Sequence, residues 1–191
     1  MLFRSGEGSD TYHWSGGAGN DTVYEWKGNN DTLVLDGLNL ADVDILRDGD
    51  YNFNLILKNK NTNEEIRVYE QYGFDDARQV EQFNFYGQQL TNAQVKEEFI
   101  ERNTTSGADE TYGFLSSDTF LRSTGDDKLY GDRGDDTYFW SAGDGNDLVR
   151  DYMGNDRIIF DGLSVSDLTM ARFGDDLVFS HLDTAEYLTV Y

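Results

Sequence analysis

Apolar residues come singly or in short runs along this chain, separated by polar residues and glycines. Such runs are too short for buried helices and read as strands. Between Thr111 and Ile158 one mostly apolar position returns at a nearly fixed step: Thr111, Phe120, Leu129, Tyr138, Val149 and Ile158. Elsewhere Leu33 to Leu35 is a short apolar run, and Val43 to Arg47 alternates with period two. Asn54 to Leu57 and Ile66 to Tyr69 flank the polar cluster Asn59 to Asn63, which predicts a hairpin. Val80 to Tyr86 alternates again. Thr91-Asn92-Ala93-Gln94 has capping-box spacing and predicts a short helix near residues 92–102, with Val95 and Phe99 on its inner face. No stretch approaches the roughly 20 apolar residues of a membrane span.

The recurring position lies two residues after an aspartate. Asp109, Asp118, Asp127, Asp136, Asp147 and Asp156 follow one another at nine-residue steps, with two extra residues between Asp136 and Asp147. Gly107, Gly125, Gly134, Gly145 and Gly154 stand two residues before most of them. Nine residues suffice for a short strand and a tight turn. Glycine lets the turn enter positive φ and lets carbonyls approach an ion. The apolar residue points inward, because side chains alternate across a strand. One turn cannot complete a calcium shell of about 6–8 oxygens, but stacked turns can. The spacing therefore points to a parallel β-solenoid that binds Ca²⁺. If successive turns occupy opposite edges of a flattened roll, Asp109, Asp127 and Asp147 share one edge. Asp118, Asp136 and Asp156 then share the other, so that Asp127 pairs with Asp147 and Asp136 with Asp156.

A longer period is also present. Asp10 to Asp21 matches Asp136 to Asp147, and Asn30 to Leu38 matches Asn155 to Leu163. Leu40 to Val43 matches Val165 to Leu168, and Glu64 to Tyr69 matches Glu186 to Tyr191. The offset falls from 126 to 122 residues along the way. Each copy is a set of repeats followed by a β-rich module. In the first copy Asp10 and Asp31 share an edge. Asp21 has the best-formed turn but no partner turn two repeats away, so its ion is incomplete or borrows a ligand. The second copy stops at the counterpart of Tyr69. The chain thus reads as a fragment of a longer array, with residues 186–191 poorly anchored or reaching a neighbouring chain. Trp14 and Trp140 are equivalent, as are Tyr12 and Tyr138; filling the roll is favoured for them over an aromatic ligand platform. His13 and His181 stand alone and do not align with each other, and two histidines cannot build a zinc site.

Charge narrows the partners. The 191 residues carry 37 acidic and 15 basic side chains, a formal net charge of -22. Nucleic acid is excluded, since phosphate contacts need a basic face, and an anionic membrane surface is disfavoured. Aromatic residues make up 14%, too many for a disordered acidic chain, so a core forms once the charge is neutralised. Cysteine and proline are absent. The first absence rules out disulfides and thiolate zinc sites; the second suits continuous strand pairing. No Ser-His-Asp order, HExxH motif or phosphate loop occurs, so no enzyme activity is expected in this segment. The opening MLFRSGEGSD lacks the apolar region of a signal peptide.

The repeats resemble the RTX (repeat-in-toxin) nonapeptide, GGxGxDxUx with U a large apolar residue. Gly16-Gly17-Ala18-Gly19-Asn20-Asp21-Thr22-Val23-Tyr24 fits every position. The unit from Gly131 departs at Asp132, and the unit from Ala142 departs at its first residue. Phe114-Leu115-Ser116-Ser117 replaces the glycines before Asp118, which leaves ion binding there open. Residues 31–100 resemble the haemolysin-type calcium-binding-related module that follows such repeats.

The resemblance implies an all-β fold. Parallel β-roll (β-solenoid) repeats over 5–35 and 106–160 alternate with β-rich modules over 31–102 and 156–191, the second truncated. It implies several Ca²⁺ ions held by Asp10, Asp21, Asp31, Asp109, Asp127, Asp136, Asp147 and Asp156. The turn glycines Gly8, Gly17, Gly19, Gly125, Gly134, Gly143, Gly145 and Gly154 would contribute carbonyls. It also implies a larger secreted bacterial protein of toxin or adhesin type. Such proteins leave through a type I secretion apparatus by an uncleaved C-terminal signal and fold on Ca²⁺ outside the cell or at its surface. Two other readings stay open: an adhesin module that binds a glycan or host protein with Ca²⁺ purely structural, and an ion-free β-solenoid scaffold.

Overall fold

A computed structural model describes residues 1–48, 53–74 and 78–191. The chain is mostly β and divides into two units, Met1–Glu98 and Phe99–Tyr191. The first unit contains β1 (Leu2–Arg4), β2 (Thr11–Ser15), β3 (Asp21–Tyr24), β4 (Thr32–Asp36) and β5 (Val43–Asp48). It continues with β6 (Asn54–Asn59), β7 (Glu65–Val68), β8 (Gln82–Phe85) and β9 (Gln88–Thr91), after which α1 (Asn92–Asn103) begins. The strands form two sheets, ordered β1-β3-β7-β6-β5 and β2-β4-β8-β9. Consecutive strands of the repeats fall in alternate sheets, because each short strand is followed by a turn that crosses to the other side. Like strands therefore stack in parallel: Thr11 faces Thr32 and Thr32 faces Gln82.

The second unit repeats the plan. β10 (Glu110–Tyr112), β12 (Lys128–Tyr130) and β14 (Asp147–Arg150) are parallel neighbours. So are β11 (Thr119–Phe120), β13 (Thr137–Trp140) and β15 (Arg157–Phe160). An antiparallel trio, β16 (Leu168–Phe173), β17 (Asp176–His181) and β18 (Tyr187–Val190), completes the first of these sheets in the order β10-β12-β14-β18-β17-β16. The period of two decides the core. In β2, Tyr12 and Trp14 are buried and alternate with the exposed Thr11 and His13; in β13, Tyr138 and Trp140 are buried and alternate with the half-buried Thr137 and Phe139. Trp14 and Trp140 are each 1% exposed, so these aromatics fill the interior and are no ligand platform.

Several expectations hold in detail. The hairpin across Asn59–Asn63 is β6 paired with β7, and the alternating stretch after Val80 is β8. The helix opens on a reciprocal cap: Gln94 Oε1 accepts the Thr91 N–H at 2.9 Å, and Thr91 Oγ1 accepts the Gln94 N–H at 3.3 Å. Val95 and Ile100 are its buried positions, while Phe99 is half-buried and packs edge-on against Phe114, 5.6 Å between ring centroids.

Other expectations are corrected. The last strand is neither loose nor reaching outward. β18 is an inner strand, parallel to β14 and antiparallel to β17, with Leu188 buried and the Tyr191 N–H donating to Val149 O at 3.0 Å. Pairing with a strand some forty residues earlier supplies the anchor, and local pattern carries no sign of it. His181 does have a counterpart, Asn59: both begin a turn in which their carbonyl accepts the N–H four residues on, from Ala185 and Asn63. The stacks are also longer than the aspartate repeats, because β7 continues β1-β3 and β18 continues β10-β12-β14.

Close stacking explains the glycines. Gly145 has φ +113, and a Cβ on it would lie 2.1 Å from the Gly125 carbonyl oxygen. Gly143 has φ +93 but open space around it. Gly143→Ala should therefore cost only the positive-φ penalty of about 1–2 kcal/mol, and Gly145→Ala that penalty plus about 1–3 kcal/mol of overpacking. Urea unfolding of both variants checks this; equal losses would rule out the carbonyl contact as the reason for glycine.

Candidate metal centre

Asp31, Asp127, Asp136, Asp147 and Asp156 each offer a carboxylate oxygen to the backbone of the aspartate one rung earlier in the stack. Asp127 Oδ1 accepts the Asp109 N–H at 2.9 Å, and Asp147 Oδ1 accepts the Asp127 N–H at 2.8 Å. On the opposite edge Asp136 Oδ1 accepts the Asp118 N–H at 2.7 Å, and Asp156 Oδ1 the Asp136 N–H at 3.1 Å. The first unit repeats this: Asp31 Oδ1 accepts the Asp10 N–H at 2.7 Å, and Glu81 Oε2 the Asp31 N–H at 2.6 Å. Asp21 Oδ1 meets the amino group of Met1. Hydrogen bonds to an ionised acceptor are stronger than neutral ones, so every rung ties two turns together.

The second carboxylate oxygen separates two groups of aspartates. Asp109 Oδ2 accepts the Thr105 hydroxyl at 2.8 Å, Asp127 Oδ2 the Ser123 hydroxyl, and Asp118 Oδ2 the Phe114 N–H. These carboxylates are satisfied by the protein. Asp10, Asp31 and Asp136 are not: in each, Oδ2 is buried without a hydrogen-bond partner among the described residues. Asp31 and Asp136 are both 0% exposed. A buried carboxylate oxygen without a partner is costly unless a cation meets it.

Those oxygens sit in two clusters. Asp10, Glu25 and Asp31 form one, and Asp136, Asp151 and Asp156 the other, with ligand atoms within 4.8 Å of one another in each. The two clusters occupy equivalent positions of the tandem copies. In the first, Glu25 Oε2 accepts the Tyr12 hydroxyl at 2.5 Å and Oε1 the Trp26 N–H at 3.0 Å. In the second, Asp151 Oδ2 accepts the Tyr138 hydroxyl at 2.8 Å and Oδ1 the Tyr152 N–H at 2.7 Å. Glycines make room for both. A Cβ on Gly28 would lie 1.9 Å from Asp31 Oδ2, and one on Gly131 would lie 2.4 Å from Asp136 Oδ2 and 2.6 Å from Asp151 Oδ2. Hard anionic oxygens around a space kept free of side chains suit a calcium-like cation.

Electrostatics carry the same sign. Burial raises the Asp136 carboxyl to about 7, against the Asp118 N–H; the charges of Asp118, Asp151 and Asp156 add to the rise. Burial also raises Asp31 to about 6, with Glu25, Glu81 and Asp10 adding repulsion, and Asp147 to about 7, with Asp127, Asp144 and Asp126 adding theirs. Asp151 is raised by burial, against the Tyr138 hydrogen bond. Tyr12 and Tyr138 are raised by burial and by their carboxylate acceptors, so both remain protonated donors.

Of the aspartates singled out in the sequence, Asp10, Asp31, Asp136 and Asp156 lie in the clusters. Asp109, Asp127 and Asp147 form rungs on the opposite edge, and Asp21 stands apart at Met1. The glycines serve the turns in different ways. Gly8 O accepts the Asn29 N–H, and Gly19 O accepts Trp14 Nε1–H at 3.1 Å. Gly17 and Gly143 donate their N–H to Glu64 at 2.6 Å and Glu186 at 2.7 Å, equivalent residues of the two modules. Gly125 and Gly134 donate to the carbonyls of Asp144 and Met153. A Cβ on Gly154 would lie 1.7 Å from Gly134 O. Glu25, Asp151 and Glu81 fall outside the repeating aspartate register. The tandem alignment holds a signal for the first two, which stand four residues after Asp21 and Asp147. Glu81 has no counterpart and no such signal.

No protein-family model matches the chain, and no curated protein matches it. Among solved structures, the chain is similar to the extracellular lipase LipA from Serratia marcescens, with a TM-score of 0.33 and 15% identity. The match covers 99% of this chain and 35% of the lipase chain, about a third of that protein's length. So low a similarity carries nothing about activity, and the clusters are read from their own geometry.

The raised carboxyls fix a pH dependence for the ion-free chain. Their folded values lie above the unfolded value of about 3.9. Their contribution to stability is therefore complete below about pH 4 and is lost as pH rises through about 6 to 7. In EDTA, the thermal midpoint should be higher at pH 5 than at pH 8. A midpoint that rises over this interval would contradict the burial of these groups.

Proposed function

We propose that this chain is a calcium-binding β-roll segment of RTX type, belonging to a secreted bacterial protein and ordered by the ions it binds. The observation that carries this reading is the pair of equivalent three-carboxylate clusters with buried, partnerless oxygens. Asp10, Glu25 and Asp31 would hold one ion, and Asp136, Asp151 and Asp156 another. A bound Ca²⁺ supplies the positive charge that the clusters lack. Tyr12 and Tyr138 orient the side carboxylates, and the rung hydrogen bonds hold the others in place. An ion-free scaffold would leave those oxygens uncompensated, and this favours the calcium reading.

Binding-coupled folding follows from the charge. At low cytosolic Ca²⁺ a chain of net charge -22 repels itself, which suits passage through a type I secretion channel. At extracellular Ca²⁺ the clusters fill, and each independent site adds stability as RT ln(1 + [L]/Kd). Extracellular calcium modules commonly have Kd near ~10⁻⁴–10⁻³ M. No catalytic role is proposed for the segment itself.

Circular dichroism in EDTA and during a Ca²⁺ titration tests this. Ca²⁺ should raise the β signal and the thermal midpoint, and Mg²⁺ should do so poorly, because it demands tight octahedral geometry. With Ca²⁺ present, higher pH should stabilise, since the ligands must be deprotonated. A spectrum and midpoint indifferent to EDTA would end the proposal. Glu25→Gln and Asp151→Asn should each weaken one site by at least the roughly 10–100-fold typical of losing even an outer-shell partner. Isothermal titration calorimetry reads this; unchanged affinity in both variants would remove these residues from the site.

A further inference from the structure

A guanidinium sits at the far end of the strands that carry the second cluster. β13, β14 and β15 are four residues each. Asp136 and Asp156 precede β13 and β15, and Asp151 follows β14. At the opposite ends of the same strands stand Ser141, the turn around Asp144, and Asp161. There Arg122 grips Asp144 in a fork: Nε donates to Oδ2 at 2.9 Å and Nη2 to Oδ1 at 3.0 Å. Nη1 donates to Asp161 Oδ2 at 3.1 Å. Asp144 is 3% exposed and also binds the turns around it. Its Oδ2 accepts the Ser141 N–H at 2.7 Å, and its carbonyl accepts the Gly125 N–H at 2.8 Å. Ser141 Oγ donates to Asp161 O at 2.6 Å. Arg122 thus spans three stacked turns, those that follow β11, β13 and β15. An exposed ion pair contributes little, whereas a fork onto a buried carboxylate is stronger and fixes geometry. In the first unit Ala18 stands where the second has Asp144, and Asp36, the counterpart of Asp161, meets His13 Nδ1 at 3.0 Å on the surface.

We infer that Arg122 is a positioning residue for the Asp136–Asp151–Asp156 cluster, a resident cation that holds β13, β14 and β15 in register before any ion binds. The inference rests on the calcium reading of that cluster. The two ends of these strands pose the same problem, because carboxylates drawn together at stacked turns need positive charge. At one end the chain supplies it; at the other it leaves it to the ion. A guanidinium is always charged and presents its donors in a rigid plane, so the Arg122 end is ordered at any calcium level. Order there fixes where the opposite ends lie. A slip of one residue in the ladder would turn Tyr138 and Trp140, both buried, to the outside. The ion then meets carboxylates already in place, and less ordering opposes its binding. Ala18 offers no carboxylate for such a fork, so the first cluster is the internal control.

Calorimetric Ca²⁺ titrations of the full chain test this, with Glu25→Gln present to silence the first cluster. Arg122→Gln and Asp144→Asn should each weaken the remaining site by about 3- to 30-fold, the range for residues that modulate a site without touching its ligand. The two residues act as one contact, so the double variant should lose no more than either alone. Arg122→Lys keeps the charge without the fork and should fall between the native chain and Arg122→Gln. With Asp151→Asn silencing the second cluster instead, Arg122→Gln should leave the first site unchanged. Hydrogen exchange in EDTA reads the staple without any ion: the Ser141 and Gly125 N–H groups should exchange slowly in the native chain and faster in Arg122→Gln. Unchanged affinity in Arg122→Gln, additive losses or equal losses at both sites would overturn the proposal. So would a variant that stays unfolded in saturating Ca²⁺, since Arg122 would then serve folding as a whole. A native chain that binds no Ca²⁺ defeats the calcium reading instead; the exchange comparison still decides whether Arg122 holds the turns, and equal exchange in the two chains would refute it.

Discussion

Asp127, Asp136, Asp147 and Asp156 each reach the backbone N–H of an aspartate one rung back in the stack, and the remaining architecture depends on this contact. It fixes the distance between stacked turns. At that distance a turn residue lies against the carbonyl of the turn before it, and only glycine fits at Gly145 or Gly154. It also draws carboxylates out of water in a row. A backbone N–H satisfies one oxygen of each; the other needs a hydroxyl, a further N–H or a cation. The first two serve Asp109, Asp127 and Asp118. Neither serves Asp10, Asp31 and Asp136, and there the chain adds a third carboxylate in place of a neutral donor.

A third carboxylate beside two others is costly unless a cation or bound protons offset the charge. Without that offset the repulsion and burial that raise Asp31 and Asp136 oppose folding. The cluster recurs in both copies with a tyrosine hydroxyl and a following N–H on the added acid. Recurrence of that whole constellation separates it from acidic residues scattered over the surface. The modules are tied to the same turns: Glu64 and Glu186 hold Gly17 and Gly143, and β7 and β18 continue the parallel stacks. Repeat and module thus share sheets, and order in one supports order in the other.

Much of this was legible in the residues. The nine-residue step placed like aspartates on like edges, because side-chain alternation and turn length leave few other ways to stack. Period two and the polar cluster at Asn59–Asn63 found the β6–β7 hairpin. What escaped was non-local or chemically unspecific. The anchoring of β18 depends on β14, far earlier in the chain, and no local pattern encodes that pairing. Glu25 and Asp151 differ in type and follow the repeat aspartates, so only the alignment of the two copies brings them forward. Glu81 is one acid among 37, and its role depends on β8 lying against β4.

The most direct test is to locate the cations. Crystals of the chain grown with Ca²⁺ should show anomalous-scattering peaks inside the Asp10–Glu25–Asp31 and Asp136–Asp151–Asp156 clusters, with oxygens at roughly 2.3–2.6 Å. Both clusters without a peak, or peaks only at carboxylates already satisfied by the protein, would contradict the account.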